Sequence, residues 1–104
     1  MLSLIFRPLA EAEALEARAW YAGHSETTAG RFSADLAATI RRVAEHPLAF
    51  ERVRGETRRA VLHRFPYAVY YRIDSDVVVV LAVHGRQDPA RWHARLIAEA
   101  GRLV

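Results

Sequence analysis

The 104-residue chain predicts an α+β fold in which a helical hairpin packs on a small, mostly antiparallel sheet in the order β-α-α-β-β-β-α. Three observations carry this. Phe32, Leu36, Ile40 and Val43 recur at helical spacing in the first half, as an amphipathic helix requires. The second half alternates in strand fashion from Arg58 onward and ends in the run VVVVLAV, Val77 to Val83. A run of helices followed by a run of strands belongs to α+β architecture, not to alternating βα units.

Taken in order, Leu2, Leu4 and Phe6 alternate with Ser3, Ile5 and Arg7, a short opening strand that Pro8 ends. From Leu9 to about Ala22 strong helix formers dominate. Ala12, Leu15, Ala19 and Ala22 form the expected apolar stripe, and Gly23 is placed for a left-handed stop. Ser25 to Thr28 offers capping hydroxyls for a second helix, with Arg31, Asp35, Arg41, Arg42 and Glu45 off its apolar face. That helix stops by His46, because Pro47 disfavours helical geometry in the residue before it.

Residues 48 to 57 read as a loop or short irregular strand punctuated by Gly55. Strands are expected at Arg58–Phe65, Tyr67–Ile73 and Asp76–Val83, the last two joined by a turn at Asp74, Ser75 and Asp76. VVVVLAV is apolar on both faces and so predicts a central strand covered on both sides. Asp88 and Pro89 suit the N-cap and first turn of a last helix carrying Trp92 and Leu96.

Length and composition predict one domain, residues 1–104, of ordinary globular make-up. With no cysteine there is neither a disulfide framework nor a thiolate ligand or nucleophile. The longest apolar run is far too short to span a bilayer, and the start lacks a charged leader, so a cytoplasmic protein is expected. All 15 basic residues are arginine. Residues 1–46 carry five of them against six acidic residues, net −1, whereas 47–104 carry ten against six, net +4, so a basic surface belongs to the second half.

The segment HRFPYAVYYRI, His63 to Ile73, poses the sharpest functional choice, between RNA handling and core packing. Cleaving RNA through its own 2′-hydroxyl needs a base, an acid and cations at the phosphate. Arg64, Tyr70, Arg72, His84 and Arg86 are of the right types, and neighbouring strands bring them toward one another. Against this, Tyr67, Val69, Tyr71 and Ile73 share one strand face and read as core, leaving Tyr70 with Ala68 and Arg72 on the other. Such a face suits binding better than acid–base chemistry. His63 and Arg64 point to opposite faces, and either face is equally apolar. Trp20 and Tyr21 read as packing, as does Trp92. His63, His84 and His93 lack a ligand spacing, so no metal and no cofactor are expected. In HGRQDP, Gly85 and Asp88-Pro89 have structural explanations, whereas Arg86 has none.

The chain resembles the RelE/ParE superfamily of type II toxin–antitoxin toxins. The resemblance runs nearly its whole length, carried by AEAEALEARAWY, GRFSADLAATIRRVAEHPLAF, RRAVLHRFPYAVYYRI and VVVLAVHGRQDPARW in that order. FPYAVYYRI followed by HGRQDPARW looks more like the ParE branch than the RelE ribonucleases. The resemblance implies a toxin that forms a hetero-oligomer with a cognate antitoxin, whose disordered tail folds over it. For the ParE branch it implies inhibition of DNA gyrase, with Tyr70, Arg72, Arg86 and Arg91 as expected target- or antitoxin-binding residues. The alternatives are a RelE-like endoribonuclease acting on mRNA at the ribosome through Arg64, Arg72, His84 and Arg86, or a non-toxic relative that still binds its antitoxin.

Overall fold

The computed structural model describes residues 1–85. Along them run β1 (Ser3–Phe6), α1 (Pro8–Ala22), α2 (Glu26–Glu45), β2 (Arg52–Arg54), β3 (Thr57–Val61), β4 (Tyr67–Asp74) and β5 (Val77–Gly85). The helix expected from Asp88 lies outside the described residues, as do Arg86, Arg91, Trp92 and His93. The sheet order is β1-β5-β4-β3-β2. β2 to β5 form an antiparallel meander, and β1 alone is parallel, pairing Ser3–Phe6 with Val77–Val80.

β1 and α1 follow from Pro8. Arg7 is extended (φ −66°, ψ 146°), and Pro8 opens the helix, where its missing N–H costs nothing. The buried stripe of α1 is Ala10 and Ala17, with Ala14 and Tyr21 beside them, not the one expected from Ala12, Leu15 and Ala19. Leu15 faces solvent. Six alanines give this helix little apolar contrast, and the small side chains let it lie close over β5, which decides the face. Gly23 is also not left-handed: at φ −62° it continues the helical turn, and Ser25 breaks the run with extended backbone at φ −166°.

α2 matches its pattern. The Ser25 hydroxyl accepts the Thr28 N–H at 3.3 Å, Phe32 and Val43 are fully buried, and the helix ends before Pro47. Full burial of such side chains stabilises by roughly 1.5–3 kcal/mol each. Asp35, expected off the apolar face, is instead only 9% exposed. Its carboxylate accepts the His63 N–H at 3.2 Å and the Arg64 N–H at 2.7 Å. This is why β3 stops at Val61 instead of running to Phe65: the backbone amides of 63 and 64 turn toward a side chain, and Pro66 offers none. His63 and Arg64 are therefore both exposed loop residues, which resolves the undecided strand faces.

The β4–β5 hairpin turns at Ser75, whose φ of 58° is left-handed. Ala60, Val69, Tyr71, Val78, Val80 and Val83 lie toward the helices. Ala68, Tyr70, Val79, Leu81 and Ala82 form a second buried cluster on the opposite face. Leu81 and Ala82 are neighbours yet share that face, because the register shifts between Tyr70↔Ala82 and Tyr71↔Val80 and leaves Leu81 as the extra residue of a bulge. The Tyr71 hydroxyl donates to the Pro47 carbonyl at 2.5 Å, tying the exit of α2 to the sheet.

Candidate functional site

β1 covers β5 only as far as Val80, where the Arg7 N–H donates to the Val80 carbonyl at 3.0 Å. Beyond that point α1 crosses the strand edge, and a side chain does what a strand would. Glu13 Oε1 accepts the Val83 N–H at 3.1 Å, while Glu13 Oε2 lies 3.0 Å from His84 Nε2. The two side chains are 13% and 9% exposed. An open cleft of about 600 Å³ sits here between α1 and the end of β5, lined by Glu13, Glu16, Trp20, Tyr21, Tyr67 and His84 among others.

Aromatic rings build one wall. Tyr21 stacks on Phe32 at 5.4 Å and meets Phe65 and Tyr67 edge-on at 4.9 and 6.1 Å. Burial raises the Tyr21 hydroxyl pKa above its ordinary value, helped by the charge and hydrogen bond of Tyr67. Burial also raises that of Tyr67, and the nearby Glu16 carboxylate adds to the effect. Trp20, read from sequence as packing, is 60% exposed at the rim, edge-on to Tyr21 and tilted over His24.

Among the described residues, those expected to carry chemistry are spread along the fold. Tyr70 is 2% exposed, its ring 6.3 Å from that of His84, so it offers no open surface. Arg72 stands opposite Val79 and approaches Asp74 at 3.4 Å, whereas His84 stands opposite Ala68. Four strand positions separate Ala68 from Arg72, about 13 Å of extended chain. Arg64 sits on the loop fastened by Asp35, on the helix side. Arg86 and Arg91 lie outside the described residues. The sequence reading missed Glu13 and Glu16. Their signal was present, since positions 13, 16, 17 and 20 share one face of α1, but a glutamate on a helix ordinarily signifies solvent.

The arginines of β2 and β3 are largely engaged. Arg52 pairs with Glu56 at 3.4 Å, Arg59 with Glu51, and Arg58 donates to the Phe50 carbonyl at 2.6 Å. Among the described residues no three His, Cys, Asp or Glu side chains gather in a metal-binding group, and no helix there is long and apolar enough to cross a membrane.

A helical hairpin packed on a five-stranded mixed sheet is an α+β architecture consistent with the ParE/RelE toxins. A solved structure described as a chromosomal ParDE TA system from P. aeruginosa has this fold, at a TM-score of 0.70 and 17% identity, over 82% of this chain and 96% of that one. The family model described as the ParE toxin of the type II toxin–antitoxin system parDE matches residues 4–89, and the chain belongs to that family. No curated protein sequence matches it.

Proposed function

We propose that this chain is a toxin held inactive by a cognate antitoxin protein, and that once free it acts in the cytoplasm by binding and inhibiting DNA gyrase, without chemistry of its own. Family membership supports the toxin, and the two-component system named for the structural neighbour supports the antitoxin. The resemblance to the ParE branch supports gyrase. The observation that favours binding over catalysis is His84: it is buried against Glu13 and about four strand positions from Arg72, so the described members of a ribonuclease set are not assembled. Arg72, together with Arg86 and Arg91 outside the described residues, remains among the basic residues proposed to meet the target or the antitoxin.

The test is pulse labelling of DNA and protein synthesis just after the chain is induced without its antitoxin, paired with supercoiling by purified gyrase. DNA synthesis is expected to fall first, and supercoiling to stop at a defined toxin ratio. If protein synthesis falls first, with cleaved mRNA, the RelE-type activity holds and the gyrase proposal is overturned.

A further inference from the structure

The cleft beside Glu13 combines features with no structural need of one another. Its wall is aromatic, and Trp20 keeps most of its large ring in solvent at the rim. It also holds two carboxylates in a chain of net charge +3. Glu13 is occupied by the Val83 N–H and His84. Glu16, on the same helix face, makes no hydrogen bond or ion pair among the described residues, and its charge is felt at the Tyr67 hydroxyl. A carboxylate beside an exposed indole and half-buried phenol rings is the chemistry that recognises an organic cation: the acid supplies charge, and the ring faces supply the cation–π attraction.

We infer that this cleft receives the guanidinium of an arginine belonging to a bound protein segment. Arginine fits better than lysine, because its planar group stacks on a ring while its fork reaches a carboxylate. A protein segment fits better than a small free cation because the cleft, at about 600 Å³, holds far more than one guanidinium. The spare room, lined by Ala17, Pro66 and Val83, suits the stem and an apolar neighbour. That the segment belongs to the antitoxin rests on the function proposed above; recognition of the guanidinium does not.

The full chain is titrated with N-acetyl-arginine methylamide, and with its citrulline counterpart as the neutral isostere, while the indole N–H resonance of Trp20 is followed by NMR. That resonance is assigned by Trp20→Phe. The arginine compound should give a saturable shift and citrulline none. Glu16→Gln, read at the indole, and Trp20→Leu, read at the backbone amides of the lining residues Ala17 and Val83, both at exposed positions, should each weaken binding roughly three- to tenfold with the remaining spectrum unchanged. An equal response to citrulline, no saturable shift, or undiminished binding by Glu16→Gln overturns the inference. None of these outcomes alters the supercoiling result, so failure here is distinct from failure of the toxin reading.

Discussion

Asp35 shows how much one side chain decides. It takes the two amides that would otherwise extend β3, so both the end of the strand and the exposure of Arg64 depend on it. Asp35→Ala leaves both N–H groups without their carboxylate and should cost about 3 kcal/mol in urea unfolding, with Asp35→Asn in between. Tyr71 gives a second residue-scale expectation. Burial pushes its pKa from 10 up to about 12, slightly opposed by Arg58. The folded state therefore holds the proton more tightly than the unfolded state. The stability this contributes is complete below pH 10 and is lost as pH rises from 10 to 12, by about 2 kcal/mol. Tyr71→Phe should flatten that alkaline decline in a denaturant series run against pH. Tyr71 was legible as core from its alternation with Val69. Asp35 was not, because an acid on a helix carries no mark of the loop it will fasten.

Among the elements, α2 was readable because Phe32, Leu36, Ile40 and Val43 contrast with charged neighbours, and β5 because seven apolar residues in a row leave no solvent face. α1 was readable as a helix but not in its orientation, since alanine is acceptable on any side and the packing partner chooses. The same helix supplies the least foreseeable contact in the fold, Glu13 completing the edge of β5. Two functions meet in that carboxylate, and variants separate them. Glu13→Ala removes the acceptor of Val83 and should destabilise by about 2 kcal/mol, with faster hydrogen exchange at the Val83 amide. Glu13→Gln keeps an acceptor, so Val83 should stay protected while the carboxylate contact with His84 Nε2 is lost.

For the whole molecule, the sequence contained a chain order matching the ParE toxins but not the pairing of the first strand with the last described one. That pairing joins residues more than 70 positions apart, Leu4 opposite Val78, whereas the β4–β5 hairpin joins neighbours across a tight turn. Local alternation cannot announce a partner so distant, and closing such a loop costs entropy before any contact compensates for it. The hairpin should therefore form in the folding transition state and β1 should dock afterwards. Leu4 packs against the buried clusters on the helix side, and Val69 is fully buried within one of them, so truncating either removes core contacts. Val69→Ala should slow refolding by most of its equilibrium cost. Leu4→Ala, at a similar total cost of about 2 kcal/mol, should leave refolding nearly unchanged and accelerate unfolding instead. Stopped-flow folding and unfolding rates across a urea series separate the two. Equal slowing of refolding by both substitutions would mean that β1 is already paired when the barrier is crossed, making the parallel edge part of the nucleus.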